Sequence, residues 1–290
     1  MYKDRQGRII VHDATPDKAL KLMYETLPGR IILGMMIQPR FSDLIRKIMK
    51  TRFSAIFIDG FARKNHISLK DYIPTRYKSF NDFFTRPIKP QKRPIERNEN
   101  LLVSPCDGRV TVYPISDRLV MHIKNSDYSV KSLLRNREIA EEFEGGYCVI
   151  VRLTVEDYHR YCYPDDGYKS DDMFIPGLLH TVSPIVMEHA SIYAENQRVY
   201  TVIDTDHFGR MVQVEIGAIG VGRVVNFDDE GPVKRGDEKG MFEFGGSTIV
   251  LLLQKGCFIP DADIIKNTED GFETIVKMGE RIGSNEKYQG

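Results

Sequence analysis

The chain has 290 residues, of which 41% are hydrophobic, and this composition is sufficient for a full hydrophobic core. The 41 basic and 41 acidic residues balance over the whole chain, but residues 1–100 contain 21 basic and 10 acidic residues. A surplus of this size favours contact with an anionic partner, either nucleic acid or anionic lipid, although a solvated basic face produces the same count. The composition excludes repeat and low-complexity architectures.

The spacing of the cysteines and the hydropathy of the sequence limit the kinds of site and of membrane contact that can be expected. The four cysteines, at 106, 148, 162 and 257, stand far apart without metal-ligand or CxxC spacing. We therefore expect no zinc site, no disulfide framework and a reducing, intracellular setting. No signal peptide pattern opens the sequence, and the apolar stretch at 31–37 is shorter than the roughly 20 residues that a membrane span needs. Any membrane contact is therefore expected to be peripheral.

Two helical patterns come first along the chain. Residues 16–27 place three apolar residues at helical spacing behind Pro16, which predicts a short helix. Residues 41–58 predict one basic amphipathic helix, or two joined, because Lys and Arg lie off its apolar stripe. This stripe either packs on its own domain or enters an anionic membrane surface, and the pattern leaves both open. The stripe consists of Phe41, Leu44, Ile45, Ile48, Met49, Phe53 and Ile56.

The remaining chain is predicted to be mostly strands. Four prolines in residues 73–95 exclude long helices and indicate an ordered connector. Beyond it, runs rich in valine and isoleucine alternate with turn residues, which predicts a mainly antiparallel sheet or barrel. One helix is expected within 127–143, centred on Leu133 and Leu134. The predicted strands lie at 109–115, 118–123, 147–155, 199–204, 211–227 and 247–253.

A Gly-Gly-Ser-Thr motif at 245–248 stands directly before the last of these strands. Glycines at this place are typical of a β-bulge or a tight turn. Alternatively, Gly246 exposes its own carbonyl group to the Ser247 hydroxyl, because a residue without Cβ crowds that carbonyl least. The four residues alone leave both interpretations open.

Two further motifs contain residues that can take part in acid–base chemistry. Asp107 lies in a Pro-Cys-Asp-Gly sequence at 105–108, where aspartate also serves simply as a turn former. His159 lies in an Asp-Tyr-His-Arg sequence at 157–160, with Cys162 two residues beyond that sequence. A histidine there is either a structural residue or a proton carrier.

In this order, the three motifs resemble the phosphatidylserine decarboxylase family of pyruvoyl-dependent enzymes. The resemblance extends over nearly the whole chain, from SFNDFFTRPIKPQKRPI at 79–95 to VKRGDEKGMFEFGGSTIVLL at 233–252. It implies self-cleavage between Gly246 and Ser247, which would yield a β chain, 1–246, and an α chain, 247–290. In the family, the serine hydroxyl attacks the preceding carbonyl, the ester is eliminated, and the dehydroalanine hydrolyses to a pyruvoyl group and ammonia.

The resemblance also implies the cofactor and the roles of the site residues. The pyruvoyl group derived from Ser247 is the covalent cofactor, and it decarboxylates phosphatidylserine to phosphatidylethanolamine through a Schiff base. Asp107 is expected to orient the base, and His159 to supply a proton during decarboxylation. The family often has a second histidine where this chain has Cys162, so Cys162, His159 or another histidine such as His180 must assist Ser247. Because a thiol is a weak base at neutral pH, we expect His159 in both steps and Cys162 packed beside it.

The predicted architecture is α+β. It comprises a helical, basic, membrane-associating region at 1–72, a proline-rich connector at 73–100 and a mainly antiparallel β catalytic domain at 101–290. The enzyme is expected on the cytoplasmic side of the cell membrane as a peripheral protein, with phosphatidylserine, the anionic surface and its own α and β chains as partners. The sequence leaves open whether the protein forms a homodimer.

Two other functions fit parts of the pattern. One is a pyruvoyl-dependent decarboxylase of another amino-containing substrate, and the other is an unprocessed lipid-binding module that keeps Ser247 intact. Nucleic-acid binding is not expected, because aromatic and basic residues do not interleave along the predicted strands.

Overall fold

A computed structural model of the protein describes residues 2–10, 26–123, 126–179, 192–218, 223–244 and 247–287. The helix predicted at 16–27 falls almost wholly outside these residues, as do Gly246 and His180.

Within the described residues, eleven strands form one large sheet. Nearly all of its pairings are antiparallel, and the pairing of the first strand with the eighteenth is parallel. In spatial order the strands are β14 (Gly231–Val233), β9 (Gly167–Lys169), β11 (Arg198–Thr205), β12 (Gly209–Gly217), β16 (Ser247–Leu253), β7 (Tyr147–Leu153), β4 (Gly108–Pro114), β18 (Glu273–Val276), β1 (Tyr2–Lys3) and β2 (Ile9–Ile10), with β10 (Met173–Ile175) paired to β11.

Strand β16 is the most buried of these strands and explains the apolar run at the end of the sequence motif. All seven of its residues are buried, and it pairs over its full length with β12 on one side and β7 on the other. A strand covered on both faces has a nearly continuous apolar sequence rather than an alternating one. The large hydrophobic core surrounds this strand and its two neighbours.

Three smaller sheets flank the large one. They are formed by β13 (Val224–Asn226), β15 (Glu238–Phe242) and β8 (Arg160–Cys162); by β17 (Ile259–Pro260), β19 (Arg281–Ser284) and β3 (Leu101–Val103); and by β5 (Val120–Ile123) with β6 (Ser126–Ser129). The strand predictions from 109 to 253 are thereby confirmed, except that 211–227 comprises β12 and β13 with undescribed residues between them.

The helices are few and short, so the fold is mixed α+β with mainly antiparallel sheets. The described α-helices are α1 (Leu27–Met36), α2 (Pro39–Met49), α3 (Ile58–Lys64), α4 (Phe80–Phe84), α5 (Val130–Leu134), α6 (Arg137–Glu141), α7 (Ile192–Glu195) and α8 (Ala262–Glu269), with 3₁₀ turns at Arg52–Phe57, Leu69–Asp71 and Pro90–Lys92. Bilayer crossing demands a longer and more apolar helix than any in the described part of the chain.

The single helix predicted within 127–143 is instead two helices, α5 and α6. Arg135 adopts the left-handed conformation, with φ 49°, and this conformation ends α5. The side chain of Asn136 then accepts a hydrogen bond from the backbone N–H of Ile139 and caps the start of α6. The hydrophobic pattern continues across this break because both helices pack on the same core.

The N-terminal region differs from the prediction at its beginning. Residues 2–10, placed in the helical region 1–72, form β1 and β2 and extend the large sheet through β18. Tyr2 is buried under the guanidinium of Arg109, 4.9 Å from the ring centroid, and Arg5 bonds to Asp261 and Asp263 at 2.6 Å each. These partners are more than 100 residues away in sequence, so local pattern could not reveal them. The segment predicted as an amphipathic helix at 41–58 is mostly helical, in α2 and the 3₁₀ turn that follows.

Candidate active site

Ser247 is the first residue of β16, opposite Gly217 on β12 and Leu153 on β7. Its hydroxyl group is fully buried and has no hydrogen-bond partner in the described part of the chain. Leaving a buried hydroxyl unbonded costs on the order of 1–3 kcal/mol, so stability alone does not explain a serine at this position. The geometry of the Gly246 carbonyl lies outside the described residues and stays a prediction.

The imidazole of His159 is fully buried, and its two nitrogens have different surroundings. Nδ1 lies 2.9 Å from the main-chain carbonyl oxygen of Asp157. Because a carbonyl only accepts, this bond assigns the proton to Nδ1 and leaves a lone pair on Nε2. Nε2 is buried without a partner among the described residues.

Burial and, to a smaller extent, the nearby positive charge of Arg86 lower the pKa of His159 to about 3, against the opposing effect of the bond to the Asp157 carbonyl. The imidazole is therefore neutral near pH 7 and has a free acceptor nitrogen. A neutral imidazole of this kind can act as a base toward a hydroxyl group.

A short turn connects His159 to the strand that pairs with Ser247. The carboxylate of Asp157 accepts hydrogen bonds from the backbone N–H of Thr154 at 2.6 Å and from its hydroxyl at 2.9 Å, and it also pairs with Arg109. Burial raises the pKa of Asp157 to about 6, with Arg109 opposing that shift. Thr154 directly follows Leu153, so the turn starts one residue after the residue opposite Ser247.

Aromatic rings bring the chain before Ser247 to the same place. The ring of Phe84 on α4 lies 4.0 Å from the imidazole of His159 and 5.2 Å from the ring of Phe244, measured between centroids. The backbone N–H of Phe244 also donates to the side chain of Asn81 at 3.2 Å. Phe244 precedes Ser247 by three residues, and α4 holds Phe244 and the imidazole on one apolar surface.

Asp107 has partners that the sequence did not reveal. Its carboxylate accepts hydrogen bonds from Nε of Arg93 at 2.6 Å, from Nη2 of the same residue, and from the backbone N–H of Met278 at 2.9 Å. A hydrogen bond from His159 to Asp107 is not among those of the described residues, where the Asp157 carbonyl takes that place. The role of Asp107 as the orienting residue stays a prediction.

Cys162 lies beside the Pro-Cys-Asp-Gly turn. Its backbone N–H donates to the carbonyl of Pro105 at 2.8 Å, and its sulfur lies 4.0 Å from the carbonyl oxygen of Ser104. Burial raises the pKa of the thiol to about 12, so the thiol is neutral near pH 7. This favours the expectation that Cys162 packs beside the site and that His159 is the base, although both roles stay predictions.

A buried ion pair shares the face of the sheet that contains Ser247. Glu215 pairs with Ile249, two residues along β16, and Lys239 on β15 lies 2.8 Å from the Glu215 carboxylate. Both side chains are fully buried, and burial raises the pKa of Glu215 while Lys239 opposes that rise. This pair is not evident from the sequence, because alternating polar residues in MVQVEIG ordinarily indicate a solvated face.

Comparison of the sequence with known proteins identifies the family. The sequence model of the family described as phosphatidylserine decarboxylase matches residues 80–284. The chain belongs to the phosphatidylserine decarboxylase family. It is therefore a decarboxylase by family, and the matched span contains Asp107, His159, Cys162 and Ser247.

Curated relatives in the phosphatidylserine decarboxylase family match along most of the chain. Phosphatidylserine decarboxylase proenzyme 2 of Clostridium acetobutylicum is 43% identical over 91% of this chain and 91% of its own length. The phosphatidylserine decarboxylase proenzyme of Clostridium novyi is 39% identical over 92% and 93%. That of Fusobacterium nucleatum is 36% identical over 99% and 97%. The word proenzyme in these names agrees with a chain that must be processed.

Proposed function

We propose that this protein decarboxylates phosphatidylserine to phosphatidylethanolamine after it cleaves itself between Gly246 and Ser247. The observation that carries the proposal is the fully buried hydroxyl of Ser247, which has no hydrogen-bond partner among the described residues. Ser247 begins β16 opposite Leu153, the last residue of β7, and the turn to His159 starts directly after Leu153. The family match and the names of the relatives support the same activity.

Self-cleavage requires a base for the Ser247 hydroxyl. Oγ forms a bond to the Gly246 carbonyl carbon as the peptide bond to the Ser247 nitrogen breaks, and the hydroxyl proton passes to Nε2 of His159 and from there to the leaving nitrogen, which becomes an amine. Removal of the Ser247 Cα proton then eliminates the Gly246 carboxylate and leaves dehydroalanine, in which one water molecule replaces the nitrogen, which leaves as ammonia. The free lone pair on Nε2 suits His159 to this task, because Nδ1 already holds its proton in the bond to Asp157.

The surroundings of Ser247 also suit a pyruvoyl group. The position is dry, and conversion of the side chain breaks no hydrogen bond to the described residues. When formed, the group supplies a carbonyl system that accepts the electrons released as carbon dioxide leaves. His159 would take a proton at Nε2 and return it readily, because burial disfavours its charged form. Asp107, neutralised by Arg93, would fix the neighbouring turn.

Substrate comparison tests the activity. Purified wild-type protein and Ser247→Ala are each offered phosphatidylserine, another primary-amine lipid with a carboxylate, and free serine, and carbon dioxide release is measured. We expect release from phosphatidylserine by the wild type alone. Equal release from free serine would favour the decarboxylase of another substrate, and no release together with an intact Ser247 would favour the lipid-binding module.

We further propose that residues 27–57 lie on an anionic membrane surface, on the cytoplasmic side. Half of the large apolar side chains that are exposed among the described residues fall between Leu27 and Phe57, including Leu27 at 75% and Phe53 at 69%. Exposed basic residues accompany them, such as Arg40 and Lys47. Apolar side chains of such a surface enter the lipid, and the neighbouring basic side chains are attracted to anionic headgroups. Unlike the helix stripe alone, this surface extends over α1, α2 and the 3₁₀ turn.

Vesicle binding tests the membrane role with single substitutions, because removal of residues 1–60 would also remove β1 and β2 from the large sheet. Phe53→Asp is expected to weaken binding to vesicles that contain phosphatidylserine. Phe174→Asp is the matched control, since Phe174 is 58% exposed but lies on β10. Equal binding by both variants and the wild type would contradict the membrane role of this surface.

A further inference from the structure

Arg86 is a buried arginine whose charge has no acidic partner among the described residues. It is 1% exposed, and no carboxylate in the described part of the chain forms an ion pair with it. One nitrogen, Nη1, donates to the main-chain carbonyl of Phe83 at 3.0 Å. Nε and Nη2 are buried and have no hydrogen-bond partner among the described residues.

The remaining contacts of the guanidinium are aromatic. It lies 4.0 Å from the ring centroid of Tyr72 and 4.6 Å from that of Phe83. The faces of such rings attract a cation, but they do not satisfy its N–H groups. The Tyr72 hydroxyl also interacts with Arg86, which opposes the burial-driven rise in the pKa of Tyr72, but this neutral group supplies no negative charge. Burial of an unpaired charge is strongly unfavourable, so a guanidinium in this state is expected to have a counter-ion in the working protein.

Other buried arginines in this chain show what a purely structural role requires. Arg152 forms two hydrogen bonds to Glu273, at 2.8 and 2.6 Å. Arg198 donates to four different main-chain carbonyls. In contrast, Arg86 donates a single hydrogen bond within the described part of the chain, although it is as deeply buried as Arg198. Its surroundings therefore differ from those of an arginine that only holds the fold.

Arg86 also lies close to the candidate active site. It lies two residues after Phe84 in the sequence, and the ring of Phe84 contacts the imidazole of His159. Its charge is near enough to disfavour protonation of that imidazole. An anion bound to Arg86 would therefore lie next to the residue proposed to move protons.

We propose that Nε and Nη2 of Arg86 bind an oxyanion of the substrate headgroup beside His159. Nε and Nη2 form one edge of the planar guanidinium, and this edge matches two oxygens of a carboxylate or a phosphodiester. The inference rests on the proposed function, because both groups belong to phosphatidylserine. A phosphodiester agrees better with catalysis, since binding the carboxylate would stabilise the charge that must leave as carbon dioxide.

Binding of ligands without a reactive amine tests this proposal separately from turnover. The ligands are short-chain phosphatidylpropanol, which has only the phosphodiester, and short-chain phosphatidyl-3-hydroxypropionate, which adds a carboxylate. Dissociation constants are measured by titration calorimetry for processed wild type, Arg86→Gln, Arg86→Lys and Arg76→Gln. Arg76 is exposed in the same region and is the control.

Loss of a charge-assisted hydrogen-bonded pair is expected to weaken binding by about tenfold or more in Arg86→Gln. If Arg86→Gln binds both ligands more weakly, Arg86 binds the phosphodiester. If it binds only the hydroxypropionate ligand more weakly, Arg86 binds the carboxylate. Arg86→Lys should recover part of the affinity, because it keeps the charge without the planar edge. The Arg76→Gln variant should bind as the wild type does.

Unchanged dissociation constants in Arg86→Gln would overturn the proposal. Failure of both Arg86 variants to fold and to undergo processing would also overturn the proposal, since that result would show that Arg86 is needed for the fold itself. Carbon dioxide release from phosphatidylserine by the wild type is measured in parallel. An active wild type with unaltered binding in Arg86→Gln refutes only the role of Arg86, whereas an inactive wild type refutes the proposed function.

Discussion

Acid titration of stability tests the neutral, buried state of His159 on which its role as a base depends. The comparison uses Ser247→Ala, which keeps the chain in one piece, with and without a second substitution, His159→Gln. In the unfolded chain the imidazole takes a proton near pH 6.5, whereas in the folded protein its pKa is lowered to about 3. The stability associated with this group is therefore fully present above pH 6.5 and is lost progressively as the pH falls toward 3.

The expected magnitude follows from the size of the pKa difference. Each pH unit below about 6 should lower the unfolding free energy by about 1.4 kcal/mol relative to the His159→Gln protein, or roughly 2 kcal/mol between pH 6 and 4.5. Asp157 acts in the opposite direction, because its raised pKa of about 6 lets the folded protein take up a proton first. Taking the difference between the two proteins isolates the imidazole from this effect.

Urea unfolding, followed by circular dichroism between pH 8 and 4.5, measures this difference. Above pH 7.5 the two unfolding free energies should run parallel, and below pH 6 they should converge or cross with the stated slope. A difference that does not change with pH would mean that the folded protein protonates His159 as readily as the unfolded chain does. The argument for a free, neutral Nε2 would then fail.

Three further substitutions probe the neighbourhood of the site. Cys162→Ala should process at the wild-type rate on a time-resolved gel, because a thiol with a pKa of about 12 is not the base; arrested processing would reverse this assignment. Arg93→Met should slow processing by removing the bonds that hold Asp107, and wild-type kinetics would exclude that turn from the mechanism. Lys239→Met should lower the urea unfolding free energy of the Ser247→Ala chain by about 3–5 kcal/mol, because Glu215 would be left buried and unpaired; a change below about 1 kcal/mol would show that the pair contributes little to stability.

The sequence predicted those elements whose pattern is local. The apolar run of β16 and the runs before it, which turn residues separate, could be predicted, because the burial of a strand determines the pattern of its own residues. The break between α5 and α6 was not readable, because hydrophobic spacing continues across Arg135 while its backbone turns left-handed. Strand β1 was missed for another reason, since two residues acquire strand character only through pairing with β18.

The candidate site was predictable only through motifs. Motif order along the chain indicated Ser247, His159 and Asp107, but the partners that set their chemistry are distant in sequence. Met278, for example, lies 171 residues from Asp107, to which it donates. Arg86 belongs to the proline-rich stretch that was predicted to be a connector. Its burial between aromatic rings is evident only in the folded structure.

The mass of the purified protein tests the central claim most directly. Self-cleavage predicts two species, a β chain of residues 1–246 and an α chain of residues 247–290 whose first residue is a pyruvoyl group and resists N-terminal sequencing. Ser247→Ala should give one uncut chain of about 33.3 kDa without decarboxylase activity. A wild-type protein that releases carbon dioxide from phosphatidylserine while its mass shows a single chain with Ser247 intact would contradict the account.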